Sequence, residues 1–198
     1  MRRIAELLLV CGMLQQVAAG GGSDGDTTRS VLVRISDWET YLKPTAGPNS
    51  VGNCLIVYGD GRLHLELRRQ EFLRGNGNYS TYESIIPERG LTLLHSILES
   101  PEIRRLSDLD RPKLPLRSAH VGWFTADIYR DGAVQRVGYL FWDGEPKPSR
   151  DEQTAWQAQR AALQPLVEWS RTIKSMNGGS SAVWRKVRNA DPVCQPQK

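Results

Sequence analysis

Apolar and polar positions alternate most clearly in SVLVRISDW, Ser30 to Trp38, where Val31, Val33 and Ile35 oppose Leu32, Arg34 and Ser36. Period two over this length predicts a strand with one buried face. The pattern returns after a loop marked by Pro44, Gly47, Pro48 and Gly52. Leu55 to Tyr58 is a continuous apolar run, and Leu63, Leu65 and Leu67 then alternate with Arg62, His64, Glu66 and Arg68. Between the two lies Gly59-Asp60-Gly61. Asp-Gly between two such runs predicts a hairpin, because its turn needs positive φ that glycine supplies freely. The leucine row is expected to face a core and the polar row water. Trp123 to Tyr129 and Val134 to Trp142 repeat the arrangement around Asp131-Gly132, with Asp127 opposite Arg136. Gly138 is expected to mark a bulge in the second of these strands.

The spacing changes to a helical one over Glu88 to Glu99, where Leu91, Leu94 and Leu98 share a face. Ser100-Pro101 predicts a cap and first position of a short second helical turn. A longer helix is expected over about Glu152 to Met176, with Leu163, Leu166, Val167 and Ile173 inward and a kink or split at Pro165. Gly75-Asn76-Gly77-Asn78 and the Pro-rich stretch Asp108 to Ser118 read as loops. AVWRKVRN, beyond Gly178-Gly179-Ser180-Ser181, is expected to add an edge strand.

Successive hairpins favour an antiparallel sheet. The expected fold class is α+β, an antiparallel β-sheet with two main helices packed on one face. The Tyr-x-Asp-Gly corner occurs twice, as Tyr58 to Gly61 and Tyr129 to Gly132, which suggests an internal ββα duplication. This order of hairpins and helices, over Ser30 to Met176, resembles small exported bacterial domains of unknown function. The resemblance implies a fold and a bacterial envelope setting, and no activity or functional residue. In those domains the segment before the first hairpin carries a closely spaced cysteine pair. Here only Cys54 stands there, so no role of such a pair carries over.

The chain has 198 residues, enough for one ordinary domain with tails. Arg2 and Arg3, the apolar run Ile4 to Met13 and the small residues Val17-Ala18-Ala19 read as an export signal over 1–19, despite Glu6 within the run. GGGSDGDTT makes 20–29 a linker, leaving a domain over 30–177 and a tail over 178–198. The apolar run is too short for a permanent membrane span. The expected location is therefore periplasmic or secreted.

Export changes the reading of the cysteines. Of three, Cys11 falls in the signal and follows Val10, a poor lipidation context. Cys54 and Cys194 remain and are expected to form a disulfide that staples the tail to the sheet. Free thiols or zinc ligands are the alternatives, and no histidine cluster favours zinc.

A net charge of +4 with acids and bases interspersed describes a solvated surface rather than a nucleic-acid face. His64, His95 and His120 show no metal-ligand spacing, and no nucleophile elbow or phosphate-binding loop is present. Asp108 and Asp110 read as loop or cap residues rather than an acid-base pair. No catalytic, cofactor or metal residue is assigned. Trp123 and Trp142 are the candidate ligand contacts, because an exposed tryptophan row stacks on a sugar ring or peptide; core packing is the competing reading. The expectation is a non-catalytic binding or interaction module of the bacterial envelope, whose partner is a protein or envelope polymer. The alternatives are a small secreted hydrolase with an unrecognised site and a glycan- or peptide-binding module using Trp.

Overall fold

The computed structural model describes residues 30–41, 50–70, 77–109, 118–144, 147, 149–175, 182–188 and 193–194. The expected signal at 1–19, with Cys11, and the linker at 20–29 lie outside them. One seven-stranded antiparallel sheet organises the chain. In chain order its strands are β1 (Val31–Tyr41), β2 (Ser50–Tyr58), β3 (Arg62–Gln70), β4 (Gly77–Ile85), β5 (Ser118–Arg130), β6 (Ala133–Gly144) and β7 (Arg185–Val187). They lie side by side in the order β6-β5-β1-β2-β3-β4-β7. Helices α1 (Glu88–Leu98) and α2 (Pro101–Arg104) follow β4, and α3 (Arg150–Lys174) follows β6.

Both Asp-Gly corners are turns. Gly61 (φ 82°), Asp131 (φ 48°) and Gly132 (φ 78°) carry the positive φ that joins β2 to β3 and β5 to β6. Asp127 pairs with Arg136 across the second hairpin.

The core joins sheet and helices. Val33, Ile35, Leu55, Val57, Leu63, Leu65, Phe124, Ala126 and Ile128 belong to one buried cluster with Leu94, Ile103, Leu163, Leu166 and Trp169. Period two places these strand residues on one side of the sheet. The indole N–H of Trp169 donates to the Gly90 carbonyl (3.2 Å), tying α3 to α1. That of Trp184 donates to Ile173 (3.0 Å), tying the chain before β7 to the end of α3.

Several expectations change. Residues 77–85 form a strand, so β4 stands between the first hairpin and α1. The first unit is three strands and a helix, not the ββα unit expected from the repeated corner. α3 runs unbroken through Pro165 rather than splitting there. Both Pro165 and Ala161, whose carbonyl loses its partner, are exposed, so water can satisfy the freed group. Gly138 is not at a bulge. It pairs regularly with Thr125, and the irregularity in that ladder lies at Ser118/His120. Gly138 is small because a Cβ there would overlap the Phe124 carbonyl. The edge strand expected beyond 178 is present: β7 pairs with β4 at Thr81–Glu83, and Ala182 before it joins the core.

Candidate binding face and cleft

The other side of the sheet carries the residues out of phase with the core. Registers fix which of them are neighbours, since directly opposed residues share a face. Trp38 stands between Trp123 on β5 and Gly52 on β2. One row along, Cys54 is flanked by Ser36 and Glu66, and the next row runs Arg136, Asp127, Arg34, Ile56, His64, Glu83.

Trp123 stacks on Trp38, with ring centroids 6.3 Å apart and planes 25° from parallel, and both are half-buried. The Trp38 ring lies over the Gly52 backbone, where a Cβ would overlap it. A glycine opposite an aromatic thus lets the ring lie flat on the sheet. The side chain of Trp142 lies outside the described residues.

Two carboxylates on this face are almost completely enclosed. Asp127 accepts from Arg34 Nη2 (2.6 Å) and Nε (3.1 Å), and from Arg136 Nε (2.6 Å). Burial alone would raise its carboxyl, but the hydrogen bonds and charges of the two arginines outweigh burial and hold it below the usual range. Glu66 is 0% exposed. Its Oε1 accepts from His64 Nε2 (3.1 Å), from the Cys194 amide (2.9 Å) and from the Val193 amide, while Oε2 accepts from Arg68 Nη2 (2.6 Å). Burial again pushes upward, and the His64 and amide hydrogen bonds with the Arg68 charge overcome it, leaving Glu66 below the ordinary carboxylate range.

This corrects the expectation that the polar row of β3 faces water, for His64 is only 8% exposed. Part of the cover over this row is Val193–Cys194, whose amides Glu66 accepts. Cys54 and Cys194 lie at disulfide distance, with Cα atoms 6.2 Å apart across 140 residues of sequence. They form a small second cluster with Ile56, packed by Val31 and Tyr58.

A cleft of about 780 Å³ opens where β3, β4 and β7 end together. Tyr58, Arg62, Ile85, Val183 and Arg185 shape its walls, with His64, Glu83 and Ser84 beside them. Two of its apolar residues are bare, Ile85 at 69% exposed and Val183 at 89%, while Leu63 in the same lining is buried. Arg62 bridges to Asp60 (2.6 Å) and lies 5.3 Å over the Tyr58 ring, and Arg185 bridges to Glu83 (3.0 Å).

The cleft does not assemble a hydrolytic constellation from the described residues. The Ser84 hydroxyl donates to the Val183 carbonyl (2.7 Å), and His64 is engaged by Glu66. His95 is exposed on α1, and His120 lies 3.7 Å from Glu39 and against Phe141. Asp108 accepts the Arg136 amide (3.2 Å), and Asp110 lies outside the described residues. Among the described residues no three His, Cys, Asp or Glu side chains form a metal-holding group, and no helix is long and apolar enough to cross a membrane.

Sequence reasoning missed Trp38, Glu66 and the cleft residues Ile85 and Val183. The alternation placed Trp38 on a strand but could not show that its neighbour across the ladder is Gly52.

Comparison with protein-family models gives no match, and comparison with curated proteins gives none. Among solved structures, that of cowpox virus CPXV018 (OMCP) is similar at 10% identity, over 73% of this chain and 99% of that one, with a TM-score of 0.19, a likeness too low to carry an argument.

Proposed function

We propose that this protein is an exported, non-catalytic interaction module of the bacterial envelope, which binds a protein partner at the β3–β4–β7 cleft. In this reading α1 and α3 cover one face of the sheet, and binding falls to the opposite face and its edge. The observation that carries the proposal is the exposure of Ile85 and Val183 on the walls of a cleft that Arg62 and Arg185 also line. Bare aliphatic side chains rimmed by polar groups are characteristic of interaction sites. The disulfide between Cys54 and Cys194 supports export, because such bonds persist in oxidising compartments.

The test is a photo-crosslinking residue placed at Val183 and, as a control, at exposed Leu93 on α1, in protein secreted by a bacterial host. The reading expects a discrete adduct from position 183 alone. No adduct, or the same adducts from both positions, would count against it. The glycan- or peptide-binding alternative draws on the stacked Trp38–Trp123 pair. It expects Trp123→Ala to abolish binding in a protein that still folds. The hydrolase alternative expects turnover of ester or peptide substrates that is lost on changing His64.

A further inference from the structure

Glu66 does more than balance charge within its own strand. Its carboxylate stands directly across from Cys54 on β2, and its Oε1 takes the amide hydrogens of both Val193 and Cys194. The residue that forms the covalent bond and the residue that grips the backbone are therefore neighbours. The bond fixes Cys194, and the carboxylate holds the amides of Val193 and Cys194. Either could hold Val193–Cys194 over Ile56 and Cys54 in the absence of the other. We propose that the Cys54–Cys194 bond and the Glu66 carboxylate form a two-part latch. In it, the segment stays seated after the bond is reduced and leaves the sheet only when Glu66 also takes up a proton.

The first part opens by thiol–disulfide exchange with a dithiol. A thiolate of the dithiol attacks one sulfur, the Cys54–Cys194 bond breaks, and a mixed disulfide forms. The second thiol resolves it. In sum the dithiol loses two electrons and two protons and becomes a cyclic disulfide, and both cysteines become thiols. The second part opens by protonation. A protonated carboxyl keeps fewer acceptor positions and no charge, so its grip on two amide hydrogens weakens.

The groups facing Glu66 are His64 and Arg68 from its own strand, Cys54 from β2, Thr81 from β4 and the amides of Val193 and Cys194. His64, Arg68 and the amides all favour the ionised form. The seat is therefore intact near neutral pH and lost in acid. Opening both parts would uncover Ile56 and the Cys54 thiol, converting a closed face into a reactive one. The Tyr58 wall of the neighbouring cleft packs against the same cluster.

The test uses the full chain carrying Cys54→Ala together with Cys11→Ser, which leaves Cys194 as its one cysteine, kept reduced before labelling. Labelling of Cys194 by 4,4′-dithiodipyridine, which reacts in acid as well as at neutral pH, is followed by peptide mass and compared with the denatured chain. Circular dichroism checks the fold at each pH. The latch predicts that Cys194 is protected at neutral pH and loses that protection about ten-fold or more below about pH 4. It also predicts that adding E66Q removes the protection at neutral pH. Labelling as fast as in the denatured chain at neutral pH would overturn the proposal, because the bond alone would then be the holder. Undiminished protection in a folded E66Q chain would overturn it as well. If acid unfolds the whole chain, the E66Q comparison decides. If E66Q does not fold, the neutral-to-acid comparison in the Cys54→Ala chain decides.

Discussion

Asp127→Asn is the substitution whose effect follows most directly from the geometry. The carboxylate is 4% exposed and sits between two guanidinium groups, one on each neighbouring strand. It receives three charge-assisted contacts, at 2.6, 3.1 and 2.6 Å. Asparagine keeps one acceptor oxygen for one arginine and turns an amide N–H₂ toward the other. One arginine contact is lost outright and the other loses its charge. Breaking a buried pair costs about 3–5 kcal/mol when the orphaned charge stays dry. Here the side chains of Arg34 and Arg136 are 29% and 36% exposed and can regain water, so a loss of about 2 kcal/mol is expected. For a domain of this size that corresponds to a melting temperature lower by roughly 4–8 °C. Urea unfolding followed by circular dichroism should show a lower midpoint with an unchanged slope. The pH dependence adds a second check. The native Asp127 carboxyl lies below its unfolded value, so its contribution is complete above about pH 4 and is lost as pH falls through the native value. The difference between wild type and Asp127→Asn should therefore shrink progressively in acid. A variant within about 0.5 kcal/mol of wild type at neutral pH would refute the reasoning, since that is the range of ordinary surface changes. A difference that does not change with pH would refute the electrostatic part alone.

Other consequences can be measured on the same purified protein. Gly61→Val should destabilise by about 1–2 kcal/mol or more, because φ is +82° and the new side chain would also meet Ile86; unfolding at wild-type urea concentration would contradict the turn. Gly122→Ala should cost about 1–3 kcal/mol, because a Cβ would overlap the Phe141 ring, and pairing it with Phe141→Ala should recover part of that loss in a double-mutant cycle. Ser149→Ala removes the oxygen that accepts the Glu152 amide at 3.2 Å, and should cost about 1 kcal/mol in thermal unfolding. Replacing Cys54 and Cys194 together by Ser should cost up to about 5 kcal/mol on the chain-entropy account, read from urea midpoints.

The sequence carried the elements whose period is clean. β1, the two hairpins, α1 and α3 are legible because their apolar residues recur at two or at three to four positions. α2 is legible from its punctuation: Ser100 caps it, accepting the Ile103 amide at 3.4 Å, and Pro101 opens it. β4 was hidden because GNYSTYESI is polar on both faces. Its place near the sheet edge needs little apolar surface. The available signal was its content of Tyr, Thr and Ile, residues that favour strands. The start of α3 at Arg150 was also readable, since Ser149 and Glu152 hold the spacing of a capping box. The surroundings of Glu66 are not written in its local sequence. Alternation puts it on the face away from the leucines, which is correct. What covers that face comes from residues 193–194, and no local pattern can report a contact between residues so far apart in sequence.

The central claim is an exported domain whose C-terminal segment is bonded to its sheet. Its most direct test is the intact mass of the protein secreted by a bacterial host, measured after thiol alkylation with and without prior reduction. The account predicts a chain shortened by about the nineteen residues of an export signal. Cys54 and Cys194 should take up no label before reduction and both should take it up after. A full-length chain whose three cysteines label without reduction would contradict both the export and the bond.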